Sequence, residues 1–179
     1  ESVKGGIKVY IGEKGDKAVS KYKKFIPAQA EGYFVRISPK EIVLAGYDER
    51  GTYYAVETFR QLMEDGQLAV TDITDWPDIR FRGVVEGFYG TPWSHEARLR
   101  HLKFYGENKM NTYIYGPKDD PYHSSPNWRL PYPEQEAKQL QQLVNVAKEN
   151  AVDFVWAIHP GKDIKWNQED RDNLLGKFN

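Results

Sequence analysis

The spacing of apolar and polar positions changes near residue 77, and this change predicts two domains. Before it, short runs with a period of two alternate with helical patterns, which is typical of an α+β domain. After it, strands and helices are predicted in strict succession, as in parallel β/α proteins. Pro77 interrupts the periodicity within the run Asp-Trp-Pro-Asp. We therefore predict an α+β domain over residues 1–76 and a second domain over residues 77–179.

The α+β domain is predicted to contain four strands and two helices. Two of the strands flank Ser38-Pro39-Lys40 and should form a hairpin. The longer helix places Val56, Phe59 and Met63 on one face. In chain order the predicted elements are a strand over 7–12, a short helix over 17–26, strands over 32–38 and 41–46, a helix over 52–64 and a strand over 67–71.

The second domain is predicted to consist of three successive units, each a strand, a loop and a helix. The predicted strands start near residues 81, 112 and 153, close to the spacing of roughly 30 residues per unit in an eight-unit barrel of about 250 residues. Three units would leave a parallel sheet edge open. We therefore predict the first three β/α units of an incomplete (β/α)8 barrel, in the front part of a longer protein. A small, complete doubly wound domain is the alternative. The predicted strands cover 81–87, 112–115 and 153–158, and the helices cover 94–109, 133–150 and the residues after 167.

Ser94 and Asn167 are predicted to cap two of these helices, because their side-chain oxygens can accept free amides of the first turn. Several apolar side chains of the last helix would normally pack against further strands. Exposure of each forfeits about 1.5–3 kcal/mol, so we expect marginal stability or self-association through the open barrel edge. The predicted apolar faces comprise Leu99, Leu102 and Met110; Ala137, Leu140, Val144 and Ala147; and Leu174, Leu175 and Phe178.

The composition argues against several classes of protein. The net charge is −1, so no basic excess favours nucleic acid as a partner, and the lysine-rich run over 14–24 is predicted to be a solvated helix face. No apolar run approaches the length of a membrane span, so we predict no membrane partner. The chain has no cysteine, and no phosphate-binding glycine loop or metalloprotease motif occurs. We predict no cofactor and no metal site.

The stretch over 82–94 is predicted to be a buried strand that opens into an aromatic loop. Val84 and Val85 suit a pleated core. Gly87 and Gly90 bracket two aromatic residues, so that the backbone can come close to a ligand there. An ordinary strand-to-helix turn with core aromatics is an equally weighted alternative.

Polar side chains follow all three predicted strands, and a barrel would bring them to one rim. Lys118 can hold a substrate hydroxyl through its three donors, or it can pair with Asp119 or Asp120. The two aspartates resemble a catalytic carboxylate pair. Neighbouring loop residues usually point apart, however, and Pro121 favours a capping or turn role.

Glu86, His123 and His159 are weaker candidates for chemistry. Glu86 can act as a general acid, although an ion pair with Arg82 or Lys118 is favoured. The two histidines are potential metal ligands, but no third ligand has suitable spacing.

Two motifs of the second domain resemble glycoside hydrolase family 84. They are Val85-Glu-Gly-Phe-Tyr-Gly-Thr-Pro-Trp-Ser94 and Lys109-Met-Asn-Thr-Tyr-Ile-Tyr-Gly-Pro-Lys-Asp-Asp-Pro-Tyr-His123, and residues 130–166 extend the match. This family comprises β-N-acetylglucosaminidases, or O-GlcNAcases, and includes enzymes once described as hyaluronidases. The bacterial branch is the closer match, which implies a secreted or periplasmic setting. Residues 1–76 are similar to the α+β domain that precedes the barrel in this family.

The resemblance implies a retaining hydrolase that acts on terminal β-linked N-acetylglucosamine of a glycan or glycoprotein. In this family the acetamido oxygen of the sugar attacks the anomeric carbon and forms an oxazoline. Carried over by position, the backbone carbonyl of Gly87 would accept a sugar hydroxyl, Lys118 would bind sugar hydroxyls, and Tyr89 would help to wall the acetamide pocket.

The resemblance also implies that the catalytic residues are missing from this chain. The family's catalytic aspartate pair follows the fourth barrel strand, whereas the chain stops at Asn179, before that strand. Asp119 and Asp120 match a different loop, after the second strand. We therefore expect the chain to be inactive alone. The alternative function is a non-catalytic carbohydrate-binding or interaction module.

Overall fold

The structure, a computed structural model, describes residues 6–63, 66–118 and 120–178. The chain divides into two compact units, residues 1–80 and 81–179. The mixed sheet of the first unit and the helices of both units form an α+β fold. Among the helices that the structure describes, none combines the length and the apolar character that a membrane crossing requires.

The first unit is a four-stranded sheet covered on both faces. The elements are β1 (Lys8–Glu13), a 3₁₀ helix (Lys17–Tyr22), β2 (Tyr33–Ile37), β3 (Glu41–Gly46), α1 (Glu49–Leu62) and β4 (Thr71–Asp75). The strands lie in the order β1-β3-β2-β4, with β1 parallel to β3 and the other pairs antiparallel. Helix α1 packs on the face that carries Val35 and Leu44, and the 3₁₀ helix packs on the face that carries Phe34 and Val43.

The second unit contains three parallel strands, each followed by a helix. The elements are β5 (Gly83–Glu86), α2 (His95–Glu107), β6 (Thr112–Tyr115), α3 (Glu134–Glu149), β7 (Asp153–Trp156) and α4 (Gln168–Leu175). The strands lie in the order β5-β6-β7, and a long loop with one short 3₁₀ turn, Asn127–Arg129, connects β6 to α3. Leu102 of α2 and Leu143 of α3 are buried against Tyr113 and Tyr115 of β6.

Two predicted helix caps are confirmed by the side-chain geometry. The amide of Ala97 donates to Oγ of Ser94 at 3.2 Å, and the amide of Asp170 donates to Oδ1 of Asn167 at 2.9 Å. Each cap satisfies one of the amides that the first helical turn leaves without a partner. These caps fix where the helices begin after the loops of β5 and β7.

Two predicted elements of the first unit were misplaced. The strand predicted over 67–71 lies at Thr71–Asp75, where a polar sequence pairs with β2 and Asp72 accepts a hydrogen bond of 2.8 Å from Nε of Arg36. Helix α1 begins at Glu49 because Oδ1 of Asp48 accepts the amide of Gly51 at 2.8 Å, a cap that the prediction overlooked.

Three apolar positions were also assigned wrongly. Met63 follows the last residue of α1 and is 50% exposed. On α3 the buried residues are Leu143 and Ala147, whereas Val144 is exposed. Val84 packs against the helices, but Val85 lies on the opposite face of the sheet and is 60% exposed, because successive strand residues alternate between faces.

Candidate functional site

The carboxyl ends of the three parallel strands meet at one edge of the second unit. Glu86, Tyr115 and Trp156 are register partners at the ends of β5, β6 and β7. Backbone hydrogen bonds continue the pairing by one residue, from the amide of Gly116 to Glu86 at 2.9 Å and from the amide of Ala157 to Tyr115 at 2.8 Å. The loops that follow β5 and β6 therefore begin side by side, as the sequence predicts for this edge.

Gly87 begins the loop after β5 and has room for a side chain. A Cβ atom at this position would lie 3.4 Å from Cγ1 of Val85 and 3.8 Å from the carbonyl oxygen of Gly116. Within the described part of the chain, the Gly87 carbonyl accepts no hydrogen bond. The fold itself therefore does not require glycine here, and the carbonyl oxygen is available to an outside donor.

Tyr89 and Lys118 lie next to each other at this edge. Nζ of Lys118 is 5.8 Å from the centre of the Tyr89 ring, which is the geometry of a cation–π contact. Tyr89 is 86% exposed, and Lys118 is exposed as well. Over residues 6–63, 66–118 and 120–178, no carboxylate forms an ion pair with Lys118. The alternative pairing with Asp120 is therefore not observed, and Asp119 lies outside the described residues.

Lys118 sits at the corner of a turn that is held by buried groups. The amide of Asp120 donates to the carbonyl oxygen of Pro117 at 3.0 Å, and the His123 ring contacts the same oxygen through Nε2 at 2.7 Å. A carbonyl oxygen can only accept, so Nε2 of His123 carries the hydrogen. The turn is thereby fixed at the residue that immediately precedes Lys118.

Asp120 is buried and its carboxylate is fully engaged. Oδ2 accepts the hydroxyls of Tyr115 and Tyr132, both at 2.8 Å, and Oδ1 accepts the amide of Tyr122 at 2.7 Å. Burial raises the pKa of both tyrosine hydroxyls, and the neighbouring Asp120 charge raises it further. This arrangement is the turn-stabilising role that the sequence favours over a catalytic pair.

Glu86 is completely buried beneath the loop after β5. It forms a bidentate ion pair with Arg98 at 2.9 and 2.7 Å, accepts the amide of Trp93 at 3.2 Å and accepts the hydroxyl of Tyr113. Burial alone would lower the pKa of Arg98, but the hydrogen bonds and the charge of Glu86 raise it above its usual range. The ion pair predicted with Arg82 or Lys118 is therefore wrong: the partner is Arg98.

The side chain of Arg129, in the loop after β6, forms hydrogen bonds with the segment after β7. It contacts Asp170 at 2.6 and 3.0 Å and Asp163 at 2.7 Å, and Trp128 donates to Asp163 at 3.1 Å. The guanidinium lowers the pKa of both carboxyl groups below their usual value. His159 also joins the loops, because its amide donates to the carbonyl of His123 at 2.7 Å.

The described residues do not assemble a metal site. No group of three histidine or acidic side chains among them is placed to hold an ion. His123 uses one ring nitrogen on a carbonyl oxygen, which leaves Nδ1 as its only other potential donor atom to a metal.

A cavity of about 340 Å³ lies between α2 and α3, beside the turn that carries Lys118. Its wall includes Arg98, Asp120 and Tyr132. The three residues predicted to bind sugar (Gly87, Tyr89 and Lys118) are not part of this wall. The cavity therefore differs from the edge that those residues form.

Sequence reasoning missed the residues that support the site. Arg98, Trp93 and Tyr132 each contact a buried carboxylate, but each lies seven to twelve residues from it along the chain. The spacing of Tyr113 and Tyr115 on β6 was the one available signal of these contacts. Residues two apart on a strand share a face, and two hydroxyls on one buried face need hydrogen-bond partners.

Both units match family models of glycoside hydrolases. The family described as beta-N-acetylglucosaminidase matches residues 82–179, and domain 2 of glycosyl hydrolase family 20 matches residues 4–76. Since the first match covers more than half of the chain, the chain belongs to the β-N-acetylglucosaminidase family. This confirms the resemblance to glycoside hydrolase family 84.

Individual relatives agree with this assignment. The protein O-GlcNAcases of Rattus norvegicus and Mus musculus are each 45% identical over 93 residues, which are 52% of this chain and 10% of theirs. The structure of CpGH84B is 47% identical with a TM-score of 0.78, over 84% of this chain and 27% of that one. The structure of CpGH84D is 29% identical with a TM-score of 0.82, over 99% and 33%. An O-GlcNAc hydrolase mutant from Thermobaculum terrenum is 39% identical with a TM-score of 0.52, over 55% and 21%. The chain thus spans about a tenth of the curated relatives and about a third or less of the solved ones.

Proposed function

We propose that this chain is the front part of a retaining β-N-acetylglucosaminidase of the O-GlcNAcase type. In this proposal its second unit supplies the first three β/α units of a (β/α)8 barrel. The parallel order β5-β6-β7, with a helix after each strand, supports that reading. The substrate would be a glycan or glycoprotein that ends in β-linked N-acetylglucosamine.

The observation that carries the proposal is the exposed pair of Lys118 and Tyr89 at the carboxyl edge of the sheet, where Gly87 begins the loop after β5. The ammonium group would donate to sugar hydroxyls, and the Gly87 carbonyl would accept one. The Tyr89 ring would form part of the wall around the acetamide group. Aromatic side chains usually line such ligand sites, and a few polar groups, including backbone carbonyls and charged residues, fix the orientation of the ligand.

In the proposed mechanism the acetamido oxygen of the substrate attacks its own anomeric carbon and displaces the leaving group, and water later opens the oxazoline. Two carboxylates are needed, one to orient the acetamide and one to exchange the proton. Glu86 and Asp120 are poor candidates because both are buried and every oxygen of each already accepts a hydrogen bond. We place the catalytic pair beyond Asn179.

A hydrolysis assay tests this function. The 179-residue chain should not cleave a chromogenic β-N-acetylglucosaminide, whereas a polypeptide continued through its natural downstream sequence should cleave it. The first product formed should be the β-anomer, detected by proton NMR. Hydrolysis by the chain alone, or α-anomer released first by the longer protein, would overturn the proposal.

A matched pair of variants ties the activity to the site. Lys118→Gln should lower kcat/KM of the longer protein, because the ammonium donors are lost. Lys103→Gln removes an exposed lysine of α2 and should leave kcat/KM unchanged. Equal effects of the two substitutions would contradict the role of Lys118.

A further inference from the structure

We propose that Asp120 is a positioning residue that holds Lys118 in place and takes no part in proton transfer. This inference rests on the proposed sugar-binding role of Lys118. Lys118 and Asp120 lie in the same short loop but differ in exposure. Lys118 is exposed, whereas Asp120, two residues later, is only 9% exposed and is surrounded by hydrogen-bond donors.

The turn around Lys118 is anchored on both sides. On one side the carbonyl oxygen of Pro117 is in contact with the His123 ring at 2.7 Å. On the other side the carboxylate of Asp120 accepts two hydroxyls and one amide at 2.7–2.8 Å. A hydrogen bond of 3.0 Å between Asp120 and Pro117 closes the turn. The backbone of Lys118 is therefore held between two fixed points.

The contacts of Asp120 reach several elements of the second unit. Tyr115 belongs to β6, and Tyr132 lies two residues before the start of α3. The Tyr132 hydroxyl is also in contact with Nε1 of Trp156, on β7, at 3.1 Å. One carboxylate thus connects the loop of Lys118 to two strands. Its oxygens are committed to these contacts, so neither is free to exchange a proton with a substrate.

Two substitutions separate positioning from acid–base chemistry. In Asp120→Asn the amide oxygen can still accept the Tyr122 amide, and its NH₂ group can donate to the tyrosine hydroxyl oxygens. Asp120→Ala removes all three contacts. A positioning role therefore predicts that Asn preserves the placement of Lys118 and Ala does not. A proton-transfer role would instead make the two variants equally defective in hydrolysis by the longer protein, whatever the placement of Lys118.

The placement of Lys118 can be observed directly in the 179-residue chain. Its lysines are reductively methylated with ¹³C, and the Lys118 signal is assigned by its disappearance in Lys118→Arg. Because Nζ lies near the Tyr89 ring, the signal should carry a ring-current shift that Tyr89→Leu removes. We expect Asp120→Asn and the control Glu149→Ala to retain this shift and Asp120→Ala to lose it. The Lys177 signal should also change in Asp120→Ala, because Nζ of Lys177 lies 4.7 Å from the centre of the Tyr132 ring, whereas the other lysines outside this loop should keep their signals.

Two results would overturn the inference: an unchanged Lys118 shift in Asp120→Ala, or its loss in Asp120→Asn. If Asp120→Ala does not fold, Tyr132→Phe replaces it, since it removes one of the three anchoring contacts and should reduce the shift. Addition of N-acetylglucosamine to the same samples tests the proposed function separately. If the sugar has no effect on the wild-type signal but the variants behave as expected, the sugar-binding role fails and the positioning role stands.

Discussion

Replacing Glu86 by glutamine tests whether the buried ion pair supports the second unit. The side chain of Glu86 is 0% exposed and that of Arg98 is 12% exposed, and they contact each other through two hydrogen bonds. Glutamine has nearly the same shape and keeps an oxygen for the Trp93 amide. The substitution therefore removes the negative charge and leaves the Arg98 charge buried without a counter-ion.

The expected loss follows from that unpaired charge. Removal of one partner of a buried ion pair costs about 3–5 kcal/mol, because the remaining ion is still desolvated. An exposed pair offers a direct contrast: Glu134 and Lys138 are 83% and 70% exposed, one helical turn apart. Loss of such a pair costs about 0.3–0.5 kcal/mol. Glu86→Gln should therefore destabilise the chain several-fold more than Glu134→Gln.

Urea unfolding, monitored by tryptophan fluorescence, measures the difference in the free energy of unfolding mainly in the second unit. Trp76 is the only tryptophan before residue 81, so most of the signal comes from the second unit. The double variant Glu86→Gln/Arg98→Met should recover part of the free energy of unfolding that Glu86→Gln loses, because no buried charge remains unpaired. A Glu86→Gln variant whose free energy of unfolding lies within about 0.5 kcal/mol of the Glu134→Gln control would refute this reasoning.

Further predictions concern the glycines of β5 and its loop and the contacts of Arg129. Gly87→Ala should change the free energy of unfolding by less than about 1 kcal/mol, because the new Cβ would lie 3.4 Å from its nearest neighbour, Cγ1 of Val85. Gly83→Ala should abolish folding of the second unit, because its Cβ would lie 1.6 Å from the backbone oxygen of Thr112 on β6. Equal thermal unfolding midpoints for the two variants would contradict this. Arg129 lowers the pKa of Asp163 and Asp170 below the usual 3.8, so its stabilisation is present above pH 3.8 and is lost as the pH falls through the lowered values. The difference in midpoint between wild type and Arg129→Met should shrink in that acidic range, and a constant difference would show that the charges do not contribute.

Features that depend only on residues close together along the chain could be predicted from the sequence. The alternation in β1 and the caps at Ser94 and Asn167 are local signals, and each corresponds to an observed element. The common edge for the loops after β5 and β6 also followed, because parallel strands joined by helices must place their carboxyl ends together.

Contacts between distant residues were not predictable from the same signals. Strand β4 has a polar sequence, and only its pairing with β2 makes it a strand. Arg82 and Lys118 were the predicted partners of Glu86, and the choice of Arg98 instead depends on the direction in which α2 leaves the loop. Val85 has a typical core side chain, but its exposure depends on what covers that face of the sheet.

In the proposed function, the ends of β5 and β6 form one half of a site for N-acetylglucosamine. A titration of the ¹⁵N-labelled chain with this sugar, monitored through the backbone amide signals, tests this. We expect shifts confined to residues 87–89 and the surroundings of Lys118, retained in Lys103→Gln and lost in Lys118→Gln. Unchanged amides at these residues, or identical shifts in Lys118→Gln, would contradict it.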